Sequence, residues 1–246
     1  MLSLLLALIT TSPALAPAPV APANGEALIR AMHDKYTGKW YRTLTFVQTT
    51  IDMRKNTRET WYEAARIPGI LRIDIAPIDS GKTILFRNDS IYQFEGGALK
   101  GSGPFVHPLM VLGFDVYLDP PEKTLARLKG VGFDLSSIRE DTWQGRPVYV
   151  VGAAKGDTTT KQFWIDRDRL VFVRMLETSR SGSGALVETL FNKYEPLGQG
   201  WISVEVKFNV NGSTVTQEEY ADVKGDPTLP EELFDPSRYG RPGWVR

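Results

Sequence analysis

Chemistry in a protein needs a nucleophile, a base or a ligand set, and this chain offers few of each. It has two histidines, His33 and His107, and no cysteine. Disulfides, thiolate zinc sites, iron–sulfur clusters and cysteine nucleophiles are therefore excluded together. Two histidines leave little room for a multi-histidine metal site. His33 falls beside the apolar face of a predicted first helix, and His107 precedes Pro108. Either is a possible general base, but neither has a partner at a telling spacing. Glu218-Glu219 and Glu231-Glu232 are neighbours that point apart or sit on the surface, so nothing marks them as an acid/base pair.

The remaining motifs are weak for stated reasons. Ser80-Gly81-Lys82-Thr83 resembles the end of a phosphate-binding loop. That motif needs a glycine where Ala76 stands and a helix where Thr83-Ile84-Leu85-Phe86 reads as strand. Gly96-Gly97 and Gly101-x-Gly103 lack dinucleotide spacing and predict a flexible loop. Asp166-x-Asp168 lacks the glycine and distal glutamate of a calcium loop and predicts a turn. No serine sits in a G-x-S-x-G elbow, and Ser181-Gly182-Ser183-Gly184 reads as a loop. Asn88-Asp89-Ser90 and Asn211-Gly212-Ser213 match the glycosylation sequon but are better explained as hairpin turns. The expectation is a non-enzyme with no metal and no cofactor.

Composition agrees with a soluble globular protein. Of 246 residues, 42% are hydrophobic and 24% charged, too apolar for a disordered chain. The 29 basic and 29 acidic side chains balance to zero, which argues against nucleic acid as the main partner. A chain of this length buries enough surface to fold without disulfides or metals.

The N-terminus reads as an address. Residues 2–9 are almost purely apolar, and no charge occurs before Glu26. The run is shorter than the roughly 20 residues that span a bilayer. It suits a secretory leader over residues 1–23, with Ala21 and Ala23 forming an A-x-A cleavage site; a cut after Ala16 is the alternative. The leader carries no lysine or arginine. No cysteine follows it to take a lipid anchor. Residues 24–246 are expected to form one domain, soluble and not membrane-spanning, periplasmic in a Gram-negative cell.

A helix should open that domain. Asn24 can cap it, Ala27, Leu28, Ala31, Met32 and Tyr36 share a face, and Gly38 ends it. From Trp40 the texture is β, with strand candidates over 40–53, 58–66, 70–76, 83–87 and 90–95. Residues 104–130 break the pattern. The apolar stretch 107–118 and the Pro120-Pro121-Glu122 start of a helix over 123–130 read as a short helical insert. Strand candidates resume at 147–154, 159–165, 170–178, 185–194, 201–210 and 213–223, and the tail over 229–239 holds one helical turn. Along 202–210 alternation is perfect, which predicts one buried and one wet face. The fold class is mainly β (α+β): about ten antiparallel strands, one N-terminal helix and a helical insert. So wide a sheet must curl, close or split.

Many strand residues are large and apolar: Phe46, Trp61, Leu71, Ile73, Leu85, Tyr92, Phe94, Phe163, Trp164, Phe172, Val204, Val206 and Phe208. Two readings stand. They fill a core, or they line a cavity left by a curled sheet under mobile helices.

Three stretches, in order, carry a family resemblance. Ala65-Arg66-Ile67-Pro68-Gly69-Ile70-Leu71-Arg72 resembles an Arg-Pro turn before an apolar strand. Residues 83–94, with Arg87-Asn88-Asp89-Ser90 as the turn, resemble the next hairpin. Lys161-Gln162-Phe163-Trp164-Ile165-Asp166 with Leu170 resembles a later one. In this order, with leader, helix and insert, they are similar to the LolA-type outer-membrane lipoprotein carriers over most of residues 24–236.

The resemblance implies a strongly curved antiparallel sheet forming a half-open β-barrel, with a helical lid over an apolar concave face. It implies a periplasmic carrier for acyl chains of a lipoprotein or another lipid, with an inner-membrane donor complex and an outer-membrane acceptor as partners. Phe46, Trp61, Leu71, Ile73, Tyr92, Phe94, Val204, Val206 and Phe208 would line the sheet. Met110, Val111, Leu112 and Phe114 would form the lid's apolar face. Arg66 would be the arginine that locks the lid, although Ile67 separates it from Pro68. The rival readings are an envelope sensor or protein-binding module on the same fold, and a hydrolase using His107.

Overall fold

The computed structural model describes residues 21–179, 183–238 and 245. Residues 1–20 of the expected leader and residues 181 and 182 of the serine–glycine loop lie outside them. Helix α1 (Gly25–Tyr36) starts as its sequence dictates: Asn24 Oδ1 accepts the Ala27 N–H at 2.8 Å. Leu28, Met32 and Tyr36 are buried, and Ile29 joins them in place of Ala27 and Ala31.

All thirteen strands belong to one antiparallel sheet built from two meanders. The first is β1 (Thr43–Asp52), β2 (Thr57–Arg66), β3 (Ile70–Ile75), β4 (Lys82–Arg87), β5 (Ser90–Glu95) and β6 (Ala98–Pro104). The second is β7 (Ile138–Trp143), β8 (Arg146–Val151), β9 (Gln162–Asp166), β10 (Phe172–Thr178), β11 (Leu186–Leu197), β12 (Gly200–Val210) and β13 (Ser213–Gly225). Each strand pairs with its sequence neighbour, and β1 with β13 joins the halves. The outer strands β6 and β7 do not pair, so the sheet is open: mainly β, as expected.

This topology places the helices. The chain must pass from the β6 edge to the β7 edge. It does so through α2 (Pro108–Gly113), the 3-10 turn Asp115–Tyr117 and α3 (Pro121–Gly130). Pro108 and Pro121 sit at helix starts, where a missing N–H costs nothing. α1 packs against α3 and the Asp115–Tyr117 turn. Val111, Leu112, Val116 and Leu128 of this crossing join Leu28, Val150, Phe163 and Phe172 in one continuous core. Trp40 stacks on Tyr117 with ring centroids 3.7 Å apart, and Gly200 lets the Trp40 ring lie against β12, where a Cβ would meet it at 2.8 Å.

Three expectations are corrected. Residues 98–104 form β6, an edge strand, and not a loop: Gly101 and Gly103 pair with Gln93 and Ile91 through backbone that needs no side chain. β7, absent from the expected strands, carries Arg139, Glu140 and Asp141 in succession along the other edge, where charge guards against stray pairing. The polar face of β12 is not wet. Ser203 and Glu205 are buried, Ser203 Oγ donates to the Asn192 carbonyl, and Lys193 and Lys207 hold Glu205 at 2.6 and 3.3 Å.

Candidate functional site

Between the first meander, β12–β13 and the lid lies a cavity of about 270 Å³. Strand parity decides its walls. The register aligns Phe46, Glu63, Ile73 and Ile84 in one row across β1–β4, and Leu44, Ala65, Leu71 and Phe86 in the next but one. All eight face the hollow, with Trp61, Val206 and Phe208. Leu109, Met110 and Phe114 close it from the lid, and Phe191 from β11.

Of the sequence-predicted lining, the structure thus brings together Phe46, Trp61, Leu71, Ile73, Met110, Phe114, Val206 and Phe208. Others lie elsewhere. Tyr92 and Phe94 are one residue out of phase. Tyr92 opposes Leu85 and Phe94 opposes Thr83, on the convex face. There Leu85, Phe94, Ala64, Leu233 and Phe234 make a second small core. Val111 and Leu112 point down into the main core, and Val204 packs at its margin.

Arg66 does not reach the lid. Its guanidinium pairs with Glu231 at 2.5 Å, donates to the Leu229 carbonyl at 3.1 Å and lies over the Phe234 ring. Arg72 and Arg87 donate to the Leu233 and Phe234 carbonyls, and Asp74 braces Arg72. The three arginines therefore bind the C-terminal segment to the back of the sheet.

The lid is held by Arg127 of α3. Buried, it reaches Asp119 at 2.6 Å, Asp115 at 3.2 Å and Asp89 of the β4–β5 turn at 3.0 Å. Asp115 also accepts the Gly69 N–H at 2.9 Å. Burial pushes the Asp115 carboxyl up to about 7, against the pull of Gly69 and Arg127. The latch ties lid to sheet through the turn that Gly69 makes possible (φ +84°).

Besides His107 and Asp115 of the lid side, four polar groups face the hollow from the sheet, and the sequence reading singled out none of the four as lining. Gln48 and Glu63 are buried, and Glu218 and Tyr220 enter from β13. The Tyr220 hydroxyl donates to Glu218 at 3.0 Å. Burial, with Glu218 nearby, lifts the Glu63 carboxyl well above the carboxylate range. Burial lifts Glu218 to about 7 against the hydrogen bonds from Tyr220 and Gln48. A usable signal existed: Glu63 keeps the inward phase of Trp61 and Ala65. Glu218 and Glu219 do point apart, but Glu218 points inward.

His107 lies at the lid side of the cavity with its ring against Phe86 and Phe105. Its Nδ1 is buried without a hydrogen-bond partner, and burial depresses its pKa to about 4. It is neutral at pH 7. His33 sits on the surface of α1, 3.2 Å from Asp34. Asp166 caps its turn by accepting the Asp168 and Arg169 N–H groups. Among the described residues no cluster of three His, Asp or Glu could hold a metal, and no helix is long and apolar enough to cross a membrane.

The open, curled antiparallel sheet with helices across its mouth is similar to that of known structures. Three solved structures share it over nearly their whole length. One is a DUF1329 family protein from Desulfovibrio piger (TM-score 0.60, 14% identity, 88% of this chain and 98% of that one). The second, from Vibrio parahaemolyticus, is a domain assigned to outer membrane lipoprotein sorting (0.57, 14%, 85% and 95%). The third is a LolA superfamily protein from Nitrosomonas europaea (0.55, 12%, 86% and 97%). No protein-family model matches the chain, and no curated protein matches its sequence.

Proposed function

We propose that the protein is a periplasmic carrier that shelters an acyl chain of a lipoprotein or another lipid on its way toward the outer membrane. Residues 1–23 serve as the leader, and residues 24–246 form the carrying domain. An inner-membrane donor hands over the cargo and an outer-membrane acceptor takes it. One observation carries the reading: the hollow under the lid is walled by Phe46, Leu71, Ile73, Phe86, Val206 and Phe208 and is not filled by the protein's own side chains.

The driving force is removal of apolar area from water, about 0.8 kcal/mol per buried methylene. Release requires that this gain be limited. The Arg127 latch holds the empty protein shut, so opening it subtracts from net affinity and leaves the cargo transferable. A role for His107 as a general base is disfavoured, since it is neutral and packed on aromatic rings.

The test is titration of the purified protein with a fluorescent acyl-chain probe. Wild type should raise the probe's emission. Phe208→Asp, which sets an unpaired charge in the wall, should lose the response while keeping the fold by circular dichroism. Silence from the wild type and from a lid-weakened Arg127→Met form, with no lipid co-purifying by mass spectrometry, would refute the carrier.

A further inference from the structure

We propose that the cavity selects an amphiphile whose chain ends in an ammonium group, seated between Glu63 and Glu218. This rests on the carrier reading and names the class of cargo. A bare hydrocarbon chain would be served best by a wholly apolar wall, and this wall is not one. Glu63 is 4% exposed and stands in the row Phe46–Glu63–Ile73–Ile84, with apolar side chains before and after it. Glu218 enters the same hollow from the far side of β1, opposite Val206 of β12.

No cation answers them. β1 presents Phe46 and Gln48, β3 presents Leu71 and Ile73, and β4 presents Ile84 and Phe86. β12 presents Val206 and Phe208, and β13 adds the Tyr220 hydroxyl. The lid brings neutral His107 and Asp115, whose charge is engaged by Arg127. Among the described residues that line the hollow there is no lysine or arginine. A second observation points to a polar ligand: His107 Nδ1, buried at the lid side of the cavity, has no partner within the protein.

Two carboxyls in an apolar wall without a cation are disfavoured in their charged forms, and Glu218 is raised to about 7. An arriving ammonium reverses this. It donates a charge-assisted hydrogen bond to a carboxylate of the pair and, as a cation in the same hollow, favours the charged form of both. A carboxylate or phosphate head meets only acidic or neutral groups here and is disfavoured.

The experiment compares decylamine, decanol and decanoate as displacers of the acyl probe at pH 8, on the full chain after leader removal. Wild type should bind the amine at least tenfold more tightly than the alcohol, and decanoate more weakly than either. The preference should vanish in Glu63→Gln/Glu218→Gln with alcohol binding retained. Amine affinity should fall as pH drops from 8 to 5.5 while alcohol affinity stays level. Equal affinities, or a preference that survives in the double variant, would overturn the inference and leave the carrier standing. Failure of both amine and alcohol to bind would remove both.

Discussion

Replacing Glu218 by glutamine isolates the electrostatics of the hollow. The carboxyl titrates near 4.5 in an unfolded chain and near 7 in the folded one, raised by burial. A raised acid binds its proton more tightly when folded. Its contribution is therefore fully present below pH 4.5 and lost as pH climbs through 7. The separation of about 2.5 units corresponds to about 3 kcal/mol. Glu218→Gln keeps the shape and the Tyr220 contact but cannot ionise. The difference in stability between variant and wild type should move by about 3 kcal/mol in favour of the variant between pH 4 and pH 8. Relief of Glu63, which Glu218 also disfavours in charged form, adds in the same direction. Urea denaturation of both proteins at pH 4, 6 and 8 reads the difference directly. Parallel stability curves would show that Glu218 is as well solvated in the fold as out of it, and the account of the cavity floor would be wrong.

Three further outcomes follow from the packing. Arg127→Met leaves Asp115 buried without its cation and Asp119 with Lys123 alone, and should cost about 3–5 kcal/mol; hydrogen exchange should quicken first over 108–130. Phe234→Ala empties the convex core beside Leu85 and Phe94 and should cost about 3–5 kcal/mol, seen as a lower thermal midpoint, with acyl-probe binding intact. Gly200→Ala drives a methyl into the Trp40 ring and should cost about 1–3 kcal/mol by urea denaturation; no loss would mean that the ring moves freely.

The sequence carried the order of elements well because alternation and turn residues are local signals. The hairpins at Asn88-Asp89 and Asn211-Gly212, the Asn24 cap and the proline-started lid helices all follow from neighbours within a few residues. Edge strands were harder. β6 is held by backbone pairing with β5, and its glycines carry no side-chain pattern. Facing was harder still. Tyr92 and Phe94 form a good apolar alternation, but which side they take depends on registers accumulated from β1 outward and on a tail 140 residues away that covers them. Arg66 was misplaced for the same reason: its partners, Leu229 and Glu231, are fixed by where the tail lies. Arg127 left no mark at all, since Asp89, Asp115 and Asp119 converge on it only after the crossing is folded.

The junction of the two meanders has a kinetic meaning. Every strand pair except β1 with β13 forms between neighbours along the chain, at small entropic cost. That one seam closes a loop of most of the polypeptide and must come late. Since Glu63 and Ile73 stand on one side of it and Val206 and Glu218 on the other, neither half alone encloses the binding space. The hollow is therefore complete only when the β1–β13 seam has closed.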